Sequence, residues 1–329
     1  MNGDPPSASA KDNPRKDKIR RAGKALPVLM RSLEHCDLCP RRCGVNRLKG
    51  EKGYCAAGAE PVVYSYAPHH GEEPPLSGRS GSGTIFFSRC NMECVYCQNY
   101  QFSQSGAGKK ISARDLGDIM LELQGAGCHN INLVSPTHFA PVIVEALKYA
   151  CSDGLELPVV YNTGCYDSLD VIRGLRGLVD IYLPDMRYSS DAMAEKYSAA
   201  PGYVSNNRAV VEEMYRQVGH LETSRGIAYK GLIIRLLILP GGISGTTETL
   251  EFISGTLGSG VYLSIMSQYY PAYKAGAYKE LSHKISREDY DAVIKKMREL
   301  GLHNGWVQPF HAEFDERYAG ENLPPEDFS

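Results

Sequence analysis

The run Cys90-Asn91-Met92-Glu93-Cys94-Val95-Tyr96-Cys97 places three thiols within eight residues, separated by three and then by two residues. Thiolates so spaced ligate three irons of a cubane iron–sulfur cluster and leave the fourth iron without a protein ligand. Ordinary ferredoxin cubanes take four thiolates. An iron left open in this way can bind a substrate. Zinc is the other metal that neighbouring cysteines support. A second set, Cys36-x2-Cys39-x3-Cys43-x11-Cys55, supplies four thiols at metal-ligand spacing. Four thiolates suit a structural tetrahedral zinc or a second cubane, and the spacing leaves both open. A cluster there could relay electrons or hold substrate, whereas zinc would fold the surrounding segment. Cys128, Cys151 and Cys165 stand alone and read as buried hydrophobes, with Cys165 the one placed to face a site.

Composition narrows the setting for this chemistry. With 329 residues, 43% apolar and 22% charged, the chain reads as an ordinary globular protein with room for a large core. A net charge of −2 gives no footprint for nucleic acid or membrane surface. No stretch is long and apolar enough to be read as a membrane span. The polar start carries a basic run, Lys11 to Arg21, without the apolar core of a signal peptide. Seven of the ten cysteines lie in two tight groups, which favours metal ligation in a reducing cytoplasm over a secreted disulfide framework. There is no Walker loop and no Rossmann fingerprint.

These thiols need elements to hold them, and from residue 83 onward strand-like and helix-like runs alternate. Strands are predicted over Gly83–Arg89, Asn130–Val134, Pro158–Asn162, Val179–Leu183, Gly231–Leu239 and Val261–Met266, with a short last one through Trp306 and Val307. Ser112 with Asp115, and Ser286 with Asp289, form candidate capping boxes ahead of helically spaced apolar residues. Further helices are predicted over Phe139–Cys151, Leu169–Leu175, Asp191–Ser198, Asn207–Val218 and Thr247–Thr256. Apolar residues on both faces of the central strands indicate an α/β fold with a helix-covered parallel sheet. Alternation alone leaves a doubly wound sheet and a barrel both open. The expected division is a disordered polar tail over 1–24, a cysteine-rich metal-stapled module over 25–82, the α/β body over 83–310, and an acidic tail over 311–329.

The three-cysteine spacing, with the aromatic Tyr96 before the last thiol, resembles the signature of the radical SAM superfamily. The run from about Cys36 to Pro271 resembles its pyruvate formate-lyase activating enzyme-like branch. That similarity rests on the paired amino-terminal cysteines, the continuation Gln98-Asn99, and the acidic fourth strand. The resemblance implies a partial six-unit (β/α) barrel with its site at the carboxyl ends of the strands. It also implies a [4Fe-4S] cluster on Cys90, Cys94 and Cys97 whose open iron chelates S-adenosylmethionine (SAM). One electron from a flavodoxin- or ferredoxin-type reductant would then split SAM to methionine and a 5′-deoxyadenosyl radical.

Several residues follow from the same resemblance. Asp180-x4-Asp185-x-Arg187 is similar to an Asp-x4-Asp-x-Lys segment facing SAM and substrate, with a planar guanidinium in place of the ammonium. Arg235, inside an apolar strand before Pro240-Gly241, suits SAM's carboxylate in a polar lumen. Tyr96, Asn162 and Gln268 are further SAM contacts. Ser135 and Thr137 stand where activases carry a Gly-Gly-Glu-like run, and bring no negative charge. His138 is a candidate acid, base or substrate contact. The favoured expectation is hydrogen abstraction from a protein or peptide such as a glycyl-radical partner. The alternatives are a small metabolite or a peptide side chain as substrate, or a non-catalytic iron–sulfur or zinc protein.

Overall fold

The computed structural model describes residues 14–310. Its strands, in chain order, are β1 (Val62–His69), β2 (Ser82–Phe87), β3 (Lys109–Lys110), β4 (Ile131–Val134), β5 (Val159–Thr163), β6 (Ile181–Pro184), β7 (Glu222–Ser224), β8 (Ile227–Leu237), β9 (Tyr262–Met266) and β10 (Gly305–Val307). They form one sheet in the order β10-β9-β8-β6-β5-β4-β2-β1-β3, with β7 paired to β8 off that path. From β2 to β10 every neighbouring pair is parallel. β1 adds to β2 antiparallel, as do β3 to β1 and β7 to β8. The edges β10 and β3 do not pair, so the sheet curves without closing, and the α/β partial-barrel expectation holds.

Register explains how the site assembles. Side chains two apart on a strand share a face. Val160 and Asn162 on β5 thus face the same way as Ile181 and Leu183 on β6, and as Ile233, Arg235 and Leu237 on β8. Asn162 pairs with Leu183 across β5 and β6, and Asp185, one residue past β6, bridges to Arg235. The inward row is apolar at one end, where Val160, Ile181, Leu183 and Ile233 pack with Leu76. Toward the carboxyl ends it turns polar. The outward row (Tyr161, Tyr182, Ile234, Leu236) joins the main core between sheet and helices.

Both predicted capping boxes form. Asp115 N donates to Ser112 Oγ at 3.1 Å and Ser112 N to Asp115 Oδ2 at 2.9 Å. Ser286 and Asp289 repeat the pattern at 3.1 and 2.9 Å. The helix predicted from Asn207 begins earlier, at Tyr203.

The segment before residue 83 differs most from expectation. Residues 1–13 lie outside the described residues, but Pro14–Glu34 is helical, so the segment expected as a solvated tail is ordered from Pro14. Its Ala22, Leu29 and Leu33 are buried, and Lys18 pairs with Asp180 beside β6. The acidic tail expected over 311–329 lies outside the described residues. Residues 62–77 are not part of a separate module either, because β1 extends the sheet and Pro74–Ser77 forms a short helix whose Leu76 packs into the lumen. Asn130 Nδ2 holds the Leu76 carbonyl at 2.8 Å, fixing this plug under the inward row.

Leu76 is fully buried. Leu76→Ala is expected to cost about 2–5 kcal/mol of stability through the cavity it leaves. Denaturant unfolding with an unchanged m-value would register the loss.

Candidate cluster and cofactor site

The polar half of the lumen encloses a cavity of about 400 Å³, bounded by Tyr96, Cys97, Asn162, Asp185, Arg187, Arg235 and Gln268, with Glu72 reaching in from the plug. A charged network organises it. Arg235 Nε donates to Asp185 Oδ1 at 2.8 Å and its Nη2 to Asn162 Oδ1 at 2.6 Å. Its Nη1 lies 3.6 Å from Glu72 Oε2, while Glu72 Oε1 accepts from Asn132 Nδ2 at 2.9 Å. Asp185 Oδ2 receives Arg187. Burial raises the pKa of Glu72 and of neighbouring Glu73, against the pull of Arg235. The Asp185 carbonyl is held from behind by Asn207 Nδ2 at 3.1 Å and by the Tyr203 hydroxyl at 3.0 Å.

The loop after β2 carries Cys90, Cys94 and Cys97. Each thiol has a hydrogen-bonding neighbour: Met92 N donates to Cys90 Sγ at 3.4 Å, Ser198 Oγ to Cys94 Sγ at 3.0 Å, and Ser103 Oγ lies 3.2 Å from Cys97 Sγ. Burial pushes the Cys90 thiol up to about 12 and Cys97 to about 11, with the charge of Cys94 adding to each and Arg187 opposing it. Arg187 thus stands between Asp185 and the thiols. Its buried Nε has no hydrogen-bond partner among the described residues. A guanidinium with spare donor capacity and three donor-supplied thiols fits an anionic cluster with an anionic ligand beside it.

Cys36, Cys39, Cys43 and Cys55 line a second cavity together with Arg41, Arg47 and His138. Arg41 Nε donates to the Asn91 carbonyl at 2.7 Å, and Arg47, 2% exposed, donates to the carbonyls of Gly58 and His138. Among the described residues, carbonyl oxygens and not carboxylates receive these cations. A buried guanidinium without a counter-ion is costly, and ionised, metal-bound thiolates would supply the missing charge. Unligated, Cys39 is pushed up to about 12 by burial. Among the described residues no group of three or more His, Cys, Asp or Glu side chains is already drawn together around a point where an ion could sit.

Three residues expected at the cofactor lie elsewhere. The chain turns away after β4, at Ser135 with φ 57°, where Ser135 N donates to the Asn162 carbonyl at 2.9 Å. Val134, not Ser135, reaches the main cavity. Thr137 is buried with its hydroxyl 3.3 Å from Thr163 Oγ1. His138 faces the four-thiol cavity behind. It donates from Nε2 to the Ser88 carbonyl at 2.9 Å, and burial pulls its pKa to about 3. It lines that cavity and not the one that Asp185 lines. Conversely, Glu72 is a lumen acid that sequence reasoning missed. Its only signal was the acidic pair Glu72-Glu73 ahead of Pro74-Pro75.

Residues 84–198 match the family model described as the Radical SAM superfamily, a span covering the cysteine loop and the strands to β6. That stretch is similar to the radical SAM superfamily. An uncharacterized protein of Methanocaldococcus jannaschii is 28% identical over 282 residues, spanning 82% of this chain and 76% of its own. Solved structures similar to the chain include a radical SAM methyltransferase from Sphaerobacter thermophilus (14% identity, TM-score 0.46, 68% of this chain and 65% of that one). SuiB of Streptococcus suis, bound to S-adenosylmethionine, is another (12%, TM-score 0.48, 70% and 52%). The match thus spans about two thirds of the methyltransferase and half of SuiB. The matched family model implies a [4Fe-4S] cluster and SAM, and the matched span includes Cys90, Cys94 and Cys97. Among the described residues no helix is long and apolar enough to cross a membrane.

Arg235 and its partners form a buried unit, with side chains 18% exposed for Arg235 and 8% for Asp185 and for Glu72. Arg235→Ala should cost roughly 3–5 kcal/mol, since it strands buried carboxylates. Arg235→Lys should cost less. Denaturant midpoints of the two variants, compared with wild type, are the check.

Proposed function

We propose that this chain is a radical SAM enzyme that abstracts hydrogen from a protein or peptide, in the manner of a glycyl-radical activase. Its first step would be reductive cleavage of SAM at a cluster on Cys90, Cys94 and Cys97. When bound, the cluster supplies the electron that splits SAM into methionine and a 5′-deoxyadenosyl radical. The observation that carries the reading is the Asp185–Arg187–Arg235 array, one end beside the three thiols and the other in the lumen. Arg235 is positioned to orient SAM's carboxylate. Glu72 and Asp185 supply negative charge for its ammonium, a charge that Ser135 and Thr137 do not bring. Tyr96 and Gln268 flank the same space.

Two features support a macromolecular substrate over a metabolite. Among the described residues the sheet edges β10 and β3 do not pair with one another, which supports a laterally open barrel. Tyr100 and Tyr273 stack at 4.9 Å just beyond the cluster loop, with Tyr273 39% exposed, giving an aromatic rim. The plug that closes the lumen floor favours the second reading, a small substrate. The four amino-terminal thiols hold a second metal group, zinc or iron–sulfur, whose negative charge balances Arg41 and Arg47. The electron comes from a flavodoxin- or ferredoxin-type donor, in a cytoplasmic setting.

Anaerobic reconstitution followed by assay for 5′-deoxyadenosine tests the core of this reading. Release that disappears in Cys94→Ser is the expected result. An intact cluster that never cleaves SAM under any reductant would sink it. Incubation with a candidate glycyl-radical protein, read by electron paramagnetic resonance, separates the peptide from the small-molecule substrate. Iron, zinc and sulfide counted in Cys36→Ser against wild type identify the amino-terminal metal, and loss of one metal complement without loss of SAM cleavage capacity is anticipated if that metal is structural.

A further inference from the structure

The hydrogen bond to Cys94 is the end of a longer chain. Ser198 Oγ donates to Cys94 Sγ at 3.0 Å, lies 2.7 Å from the Tyr188 hydroxyl, and Tyr188 in turn lies 2.7 Å from the Tyr96 hydroxyl. All four residues are buried, Ser198 completely. A metal-bound thiolate can only accept, and each hydroxyl has one hydrogen to give. The direction is therefore fixed: Tyr96 donates to Tyr188, Tyr188 to Ser198, and Ser198 to the sulfur. Hydroxyls aligned this way polarise one another, so the last donor is stronger than an isolated serine.

The backbone holds this relay in place. Glu93 N donates to the Ser198 carbonyl at 3.0 Å and Val95 N to the Tyr197 carbonyl at 2.9 Å, splicing the cysteine loop to the end of helix Asp191–Ser198. Ala199, at φ 47°, then ends the helix. The donors near Cys90 and Cys97 come from within a few residues of those thiols, at Met92 and Ser103. The Cys94 donor comes from 104 residues away. Only the folded barrel can supply it.

We infer that Ser198, Tyr188 and Tyr96 form an oriented hydroxyl relay that sets the reduction potential of the cluster held by Cys90, Cys94 and Cys97. The inference rests on the reading that these three cysteines ligate the cluster. One-electron reduction adds negative charge to the cluster and its sulfurs, and a donor to a ligand sulfur stabilises that charged state. Removing the donor disfavours the reduced form. Ser198, Tyr188 and Tyr96 are positioning residues here. Tyr96 thereby serves two spaces, since it lines the main cavity while its hydroxyl joins the relay.

The test is a potentiometric titration of the full reconstituted chain without SAM. Dithionite and low-potential mediators supply the electron, and electron paramagnetic resonance counts the reduced cluster. Ser198→Ala should lower the equilibrium constant for one-electron reduction about tenfold, which is a shift of about 59 mV to more negative potential. Tyr188→Phe should lower it less, Tyr96→Phe less again, and Ser198→Thr should stay near wild type. This graded order is a result that general loosening of the loop would not produce. Iron and sulfide content of each variant accompanies the titration. Wild-type potential in Ser198→Ala with a full cluster overturns the relay while leaving the ligand assignment standing. If Ser198→Ala fails to assemble a cluster, an unchanged potential in Tyr188→Phe overturns it instead. Iron content indifferent to Cys94→Ser removes the ligand assignment, and the relay with it.

Discussion

A guanidinium cannot sit inside an apolar strand unless something neutralises it, and Arg235 is placed where that demand organises much of the lumen. Its position on β8 follows from register: the inward row of β8 must be filled, and the place after Ile233 lies level with Asp185, one inward row beyond Asn162 and Leu183. Once Arg235 is there, Asp185 has to face it, Asn162 has to offer its side-chain Oδ1, and an acid has to approach from below. Glu72 does so only because the plug holds it there. Asp185 then has one oxygen left for Arg187, which carries positive charge on toward the thiols. The cysteine loop and the lumen are thereby coupled electrostatically through a short series of ion pairs.

The fold was legible wherever strands are apolar on both faces. β2, β4, β5, β6, β8 and β9 announce themselves as short apolar runs because helices cover one side and the lumen core the other. β1 does not. Its buried positions include Ser65, while Tyr64 and Tyr66 are only partly covered, so its apolar periodicity is scrambled. Glycines, prolines and cysteines around it also read as a metal-stapled loop. The helix at Pro14 was hidden for a related reason, since its exposed face is basic and only Ala22, Leu29 and Leu33 are fully covered.

The site was legible in proportion to how local its geometry is. Three cysteines on one loop, and Asp185 and Arg187 two residues apart at a strand end, can be read from spacing. Arg235 could be inferred from the cost of its charge. His138 could not be placed, because the chain turns at Ser135 with a positive φ that no local pattern marks, and His138 lines the four-thiol cavity beyond that turn. Glu72 and Ser198 meet their partners across large gaps in sequence, and no local pattern marks them.

The plug also changes what counts as the unit of this protein. Residues 84–198 contain the thiol loop and four of the parallel strands, yet the floor of their lumen comes from residues 72–77 and its far wall from β8 and β9. A piece cut at the boundaries of the recognised signature would open the inward row to water from beneath and leave Asp185 facing solvent in place of Arg235. Grafting this chemistry onto another scaffold therefore means moving a stretch from β1 through β9. The transplantable module is defined by what closes the lumen, and it begins upstream of the first cluster cysteine.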